Sequence, residues 1–302
     1  MGEIKFLNYS NGERFSENYQ MLSYFFEKYT GNGLQENWHI GRLDWMLNHD
    51  YTNPESLPLI GMWVEEDEVV GVVIFDIDYP PVYFLCKPGY EHLYNDMYQY
   101  AEKTFKTDKW CENGYWVKTV IKDEDTVQVE FLKDKGFIMD GYPEDILELK
   151  CNANDKYNYS LPEGFSVTTF DTEKNYEKYA ELLYKGFDHE GEEEPDVTYD
   201  SVAFREPHWN DSLKILIKSP NGEWASHCGI WYTPGDATSY IEPVATIPKY
   251  RKKGLAKAAI YEAVNRCADL GAKRAIVISD MDFYYTIGFE KSSHYYQVAK
   301  YF

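Results

Sequence analysis

The chain alternates between short runs dense in β-branched and aromatic residues and longer stretches whose apolar positions recur every three or four residues. Leu57 to Glu66 and Glu68 to Tyr79 predict two strands joined by the tight acidic turn at Glu66 and Asp67, with Val69, Val70, Val72, Val73 and Ile74 as the densest β-forming stretch. Pro81 to Cys86 predicts a third strand and Tyr90 to Phe105 a helix. Tyr115 to Ile121 then predicts a strand, Asp125 to Asp134 a helix and Ile146 to Lys150 a closing strand.

The polar segment from Cys151 to Gly164, CNANDKYNYSLPEG, is rich in Asn, Asp, Ser, Pro and Gly and reads as a linker. It divides the chain into residues 1–150 and 165–302, close to the length expected of two domains. After it the same order returns. Phe165 to Phe170 predicts a strand and Glu173 to Gly186 a helix, with Tyr176, Tyr179, Ala180, Leu183 and Phe187 on one face. Leu213 to Lys218 and Glu223 to Tyr232 predict a hairpin across Ser219-Pro220-Asn221-Gly222. Ser239 to Thr246 predicts a strand, and Leu255 to Leu270 a helix stopped by Gly271. A strand at Ala272 to Ser279, a short helix at Met281 to Thr286 and a strand at His294 to Lys300 complete the series. Both halves then carry a helix ending in Gly-Phe, FLKDKGF at Phe131 to Phe137 and FYYTIGF at Phe283 to Phe289, which superpose without a gap. The shared order argues for a duplicated α/β (α+β) unit.

With 28 Tyr, 16 Phe and 8 Trp, the chain is too aromatic to stay disordered. Its 30 Lys and Arg against 51 Asp and Glu give a net charge of −21, which disfavours nucleic acid or an anionic membrane as partner. Five cysteines, Cys86, Cys111, Cys151, Cys228 and Cys267, are scattered and never spaced C-x-x-C, which argues against a disulfide framework or a zinc site and for a reducing, cytoplasmic setting. The opening residues MGEIKFLNYS carry neither a basic nor an apolar leader segment, and no run approaches a membrane span, so neither export nor anchoring is expected.

One segment contradicts this acidic background. In Tyr240 to Val264, four of the five residues from Lys249 to Lys253 are cationic and stand directly before a helix, where the helix dipole disfavours cations by about 0.3 to 1 kcal/mol. No Ser, Thr, Asp or Asn immediately precedes Gly254 to cap the first N–H groups. A bound phosphate removes both anomalies. Gly254 lets a backbone approach the anion, Ala256 keeps the first turn slim, and Arg251, Lys252 and Lys253 neutralise a polyanion. The segment is neither a Walker A loop nor a G-x-G-x-x-G dinucleotide turn.

Arg251-Lys252-Lys253-Gly254-Leu255-Ala256 resembles the R/Q-x-x-G-x-G/A signature of the GNAT superfamily of acyl-CoA-dependent N-acetyltransferases. Phe283 to Phe289 is similar to that family's F-Y-x-x-x-G-F segment, and its Tyr284 stands 28 residues beyond Ala256. The resemblance covers residues 165–302 well and residues 1–150 only in element order and in FLKDKGF. It implies two tandem GNAT-like domains, each a mixed, mostly antiparallel twisted sheet flanked by helices, with a degenerate, non-catalytic first domain. Acetyl-CoA as cosubstrate would then lie on Val244, Ala245 and Thr246 and on the turn from Arg251 to Ala256, Leu255 included, and no metal is called for. Pro243, which has no N–H, independently marks a break in the ladder on this strand.

The resemblance further implies that the Val244 N–H is the oxyanion donor and that Tyr284 returns a proton to the departing thiolate. Glu242 is the candidate base for the attacking amine. The acidic run His189 to Asp196 falls where the family places its acceptor loop, and reads either as a solvated loop or as an attractor of a cationic amine. His208 and His227 are expected to be ordinary surface or core histidines. In the first half the matching turn is Cys86-Lys87-Pro88-Gly89-Tyr90, and Leu132 stands where the second half has Tyr284. The expected function is direct acetyl transfer to a small amine-bearing acceptor. A non-catalytic acetyl-CoA-binding regulator and a tRNA-dependent aminoacyl transferase are the alternatives, the latter opposed by the net charge.

Overall fold

The computed structural model describes residues 2–10, 13–31, 34–49, 51–191 and 207–302. In chain order the elements are β1 (Ile4–Asn8), α1 (Glu17–Tyr29), α2 (Ile40–Asn48), β2 (Gly61–Glu65), β3 (Glu68–Phe75), β4 (Val82–Cys86), α3 (Tyr94–Phe105), β5 (Trp116–Lys122), α4 (Thr126–Asp134), β6 (Ile138–Met139) and β7 (Glu144–Lys150). There follow β8 (Ser166–Thr169), α5 (Tyr176–Gly186), β9 (Lys214–Lys218), β10 (Trp224–Trp231), β11 (Thr238–Thr246), α6 (Leu255–Leu270), β12 (Arg274–Ile278), α7 (Asp282–Thr286) and β13 (Glu290–Tyr301). These form two compact units. Unit 1 is Met1–Ile146, Ile278–Asp280 and Lys291–Phe302; unit 2 is Leu147–Val277 and Met281–Glu290. The units are therefore not the consecutive segments 1–150 and 165–302. The last strand, β13, lies almost wholly in unit 1, where it pairs antiparallel with β5 from Tyr295 opposite Lys122 to Tyr301 opposite Trp116.

In unit 1, β1 to β4 form an antiparallel meander. Its β2–β3 turn places Glu66 and Asp67 at φ 50° and 66°, the left-handed pair that a two-residue hairpin loop requires. β4 meets the parallel strand β5 only at Val82 opposite Thr119. Helices α1 and α2, which the hydrophobic pattern did not announce, bury Leu22, Phe25 and Phe26, and Leu43, Met46 and Leu47. The strand expected from Leu57 starts only at Gly61, because Pro54–Leu59 winds into a 3-10 helix around Pro58.

In unit 2, β8, β9, β10 and β11 pair antiparallel in that order, and β12 joins β11 in parallel. The β9–β10 turn closes through Ser219 N–H to Glu223 O at 2.9 Å, with Gly222 at φ 86°. Helix α6 presents Leu255, Ala258, Ala259, Ala263, Val264 and Cys267 to the core; its alanines let the axis approach closely, at about 0.8 kcal/mol per buried methylene-sized group. Helix α5 starts at Tyr176 rather than Glu173 because the Asn175 side chain caps it at the Lys178 N–H. Its buried positions are Tyr179, Leu182 and Gly186, while Phe187 is exposed.

Candidate functional site

Strand β11 is paired on both sides only at its start. Thr238, Ser239 and Tyr240 align with Arg274, Ala275 and Ile276 of β12, and beyond Tyr240 no described residue continues that ladder. On the other side the β10 register shifts between Cys228 and Ile230, so that an extra residue of β11 bulges out at Glu242-Pro243. Gly229 faces the bulge. A Cβ on Gly229 would lie 2.5 Å from the Glu242 carbonyl oxygen, so only glycine admits the bulge. The Trp231 indole N–H donates to that same carbonyl at 2.9 Å and fixes it.

After the bulge the antiparallel alternation decides where each backbone group points. Ile247 donates its N–H to Ala225 O at 3.1 Å, so Ala245 and Ile247 face β10 and the polar groups of Val244 and Thr246 face the unpaired side. The Thr246 carbonyl accepts from Arg251 Nε at 3.0 Å on that side. The expected N–H of Val244 is thus aimed into the gap that opens between β11 and β12.

The turn that follows begins with the 3-10 segment Pro248–Tyr250, anchored by the buried Tyr250, whose hydroxyl donates to Glu223 at 2.7 Å. Lys252 and Gly254 take φ 62° and 79°, and Gly254 precedes α6 without any side-chain cap. The first bond into the helix is Ala258 N–H to Gly254 O at 3.0 Å. After Arg251, whose N–H is bonded to Pro248 O at 3.1 Å, the N–H groups of the turn that precede Ala258 are thus available to an acceptor. Leu255 is buried and Ala256 half-buried, so Leu255 anchors the turn from below. Lys252 and Lys253 are exposed, and neither forms an ion pair with a described residue. Lys249 is held by Glu223 at 2.7 Å.

Arg251 departs from expectation. Expected to neutralise a polyanion, its guanidinium bonds Thr246 O at 3.0 Å, Gly186 O at 2.9 Å and Asp188 Oδ2 at 2.9 Å. The reason is geometric: Gly186 seats the end of α5 so tightly on β11 that a Cβ there would lie 2.7 Å from the Ala245 Cβ. Two carbonyls and a carboxylate are thereby brought within reach of one planar fork.

Tyr284 lies in α7, buried, its ring edge-on to Phe283 and Phe289 with centroids 5.2 and 5.4 Å away. Its hydroxyl bonds no described group. Burial, with Cys228 and Glu242 adding repulsion of the anion, raises its pKa well above the ordinary tyrosine value, so the proton stays on at neutral pH. Glu242 is half-buried, with the Tyr240 hydroxyl 3.4 Å from its Oε2. His227 is fully buried; its Nδ1 is 2.9 Å from Ile215 O and its Nε2 3.0 Å from the Tyr179 hydroxyl, so the carbonyl fixes the tautomer and both ring nitrogens are used. Of the acidic run, His189 to Gly191 are described, and residues 192–196 lie outside the described residues. His208 lines a separate cavity of about 430 Å³ with Tyr176, Trp209 and Tyr232.

Unit 1 builds a parallel turn after β4. Gly89, at φ 89°, donates its N–H to the Glu91 carboxylate at 2.9 Å, and Lys87 pairs with Glu68 at 2.9 Å. The gap left between β4 and β5 receives the Gln128 amide, which donates to Phe84 O at 2.9 Å. Leu132 is buried.

Sequence reasoning missed Gly186, Gly229 and the direction of Arg251. A glycine inside the strand run HCGIW is the kind of signal that marks a bulge, whereas nothing in the sequence reports the approach of α5 to β11.

Residues 176–289 match the family model described as the acetyltransferase (GNAT) family. Among solved structures, a GCN5-related N-acetyltransferase from Sphaerobacter thermophilus aligns with TM-score 0.60 at 14% identity over 99% of this chain and 95% of its own. A tandem GNAT protein from the clavulanic acid biosynthesis pathway aligns with TM-score 0.59 at 12% identity, covering 99% and 98%. Saccharomyces cerevisiae N-myristoyltransferase aligns with TM-score 0.54 at 9% identity, covering 99% and 80%. No curated protein sequence matches this chain. Residues 176–289 thus match the GNAT acetyltransferase family, and the chain as a whole shares the fold of solved GNAT structures that include a tandem GNAT protein. Among the described residues no group of three or more His, Cys, Asp and Glu can hold a metal, and no helix is long and apolar enough to cross a membrane.

Proposed function

We propose that unit 2 transfers an acetyl group from acetyl-CoA directly to the amine of a small molecule. The observation that carries this reading is the pairing of an uncapped, left-handed glycine turn at Gly254 with a strand whose Val244 and Thr246 N–H groups face an unpaired side. The turn's amides, with Lys252 and Lys253, hold the pyrophosphate. Val244 and Thr246 offer their backbone groups to the pantetheine arm, and the Val244 N–H stabilises the oxyanion that forms when the amine adds to the thioester carbon. Glu242 takes the proton that the amine must lose. As the tetrahedral intermediate collapses, the carbon–sulfur bond breaks, and Tyr284 gives its proton to the thiolate, leaving the N-acetyl product and CoA thiol. Acetyl as the acyl group is supported by the family description, and a cationic acceptor by the net charge of −21, which concentrates amines near the surface. The same charge speaks against nucleic acid and membrane partners.

A thiol-release screen of the purified protein with acetyl-CoA against small amines, peptides and aminoglycosides tests the proposal. Release that depends on both the amine and the Tyr284 hydroxyl is expected. Tight acetyl-CoA binding with no release for any amine would instead identify a regulatory binder.

A further inference from the structure

The Arg251 guanidinium makes three bonds, all to the protein: Thr246 O at 3.0 Å, Gly186 O at 2.9 Å and Asp188 Oδ2 at 2.9 Å. Gly186 O is the last carbonyl of α5, where the helix dipole favours a cation. Thr246 O ends β11. Asp188 stands at φ 62°, immediately beyond the helix, where Phe187, Asp188 and His189 return their N–H groups to Leu183, Lys185 and Tyr184 at 2.9, 3.3 and 3.0 Å. Gly186 brings α5 onto Ala245 and Thr246, with 2.7 and 3.3 Å from a Cβ built there to the nearest atom of each. We propose that Arg251 is a positioning residue that locks the end of α5 to the unpaired end of β11, and that Lys252 and Lys253, not Arg251, meet the phosphates of the cosubstrate. The inference rests on the function proposed above only for its effect on binding.

Two features favour this over a phosphate contact. A guanidinium that turned to a phosphate would leave two carbonyls without their donor and Asp188 without its cation. The ion pair itself is exposed, 41% at Arg251 and 60% at Asp188, and contributes little, so the two carbonyl bonds carry the lock. Its consequence is a fixed direction for the Val244 and Thr246 backbone groups, since the strand is braced from α5 on the side that β12 leaves open.

Amide hydrogen exchange in the ligand-free protein tests the lock without any phosphate present. Arg251→Met is expected to speed exchange at Phe187, Asp188 and His189 by about tenfold. Arg251→Lys, which keeps the charge and loses the fork, should do the same. Asp188→Asn should change exchange by less than about threefold and should not tighten acetyl-CoA binding. If Arg251 served the phosphates instead, exchange would be unchanged in Arg251→Met, and Asp188→Asn would tighten acetyl-CoA binding by removing a competing anion; either result overturns the proposal. Failure of the unaltered protein to bind acetyl-CoA would overturn the function proposed above, while the exchange data would still decide the role of Arg251.

Discussion

At the end of β4 the chain turns through Lys87 and Gly89 much as it turns through Lys252 and Gly254 after β11, and both glycines are left-handed. The difference lies in what answers the turn's amides and cations. In unit 1 the Glu91 carboxylate accepts the Gly89 N–H, Glu68 neutralises Lys87, and Gln128 enters the gap beside β4. In unit 2 the corresponding turn has no capping side chain, Lys252 and Lys253 have no described ion-pair partner, and past Tyr240 the strand before it is paired with β10 but not with β12 among the described residues. A shared backbone therefore does not make a shared site. One unit answers these groups internally, whereas in the other they have no partner among the described residues, as the proposed cosubstrate site requires.

The largest effect expected from this contrast is on turnover. Tyr284→Phe removes the hydroxyl proton that unit 2 holds on α7 and that unit 1, with the buried Leu132 at the matching position, lacks. A fall in kcat of about 10²- to 10⁴-fold is expected with acetyl-CoA affinity nearly unchanged. Steady-state kinetics beside calorimetric titration check it, and an unaltered kcat reduces Tyr284 to packing.

Gly254→Val comes next. A Cβ there meets no neighbour, so the cost is backbone: φ 79° penalises a β-branched residue by about 1 to 3 kcal/mol. Reshaping the turn should weaken acetyl-CoA binding by about tenfold or more, as titration would register. Gln128→Ala tests the other side of the comparison. Gln128 is fully buried, and its loss leaves the Phe84 carbonyl without its donor, so unit 1 should lose about 1 to 3 kcal/mol of stability without gaining an acetyl-CoA site. Denaturant unfolding measures the first part.

Acid should also separate the units. Burial, with the nearby charge of Lys214, lowers the His227 pKa to about 3 against the backbone bond to Ile215, which raises it. The unfolded chain then binds a proton that the folded chain refuses, so stability falls as pH drops from about 6.5 towards 3, by up to about 1.4 kcal/mol per pH unit. In unit 1, burial raises the Glu68 pKa, but bonds from Lys28, Tyr29 and Lys87 outweigh it and hold the group at about 2. Its stabilisation is present above about 4.5 and is lost as pH falls towards 2. At neutral pH neither titration alters stability or turnover; the expected result on acidification is a two-step profile, whose upper step should flatten in His227→Gln.

Most elements from Gly61 onward, β6 excepted, were legible because strand runs and the 3.6-residue period had clear contrast; α6 spans Leu255–Leu270 as expected, ended by left-handed Gly271. Helices α1 and α2 were not legible. In α1, Tyr19 and Ser23 sit on the buried face and blur the pattern. The exchange of the last strand into unit 1 was equally hidden, because strand pairing is chosen by the tertiary fold rather than by local composition. At the site, the turn and Tyr284 could be read from spacing. Gly186, Gly229 and the route of Arg251 depend on close backbone approaches that only the folded chain creates.

The stoichiometry of acetyl-CoA binding tests the comparison most directly. Calorimetric titration of the full chain should give one acetyl-CoA per chain, with that single site weakened in Gly254→Val. Two sites per chain, one of them indifferent to Gly254→Val, would contradict the account by showing that the self-satisfied turn of unit 1 still opens to the ligand.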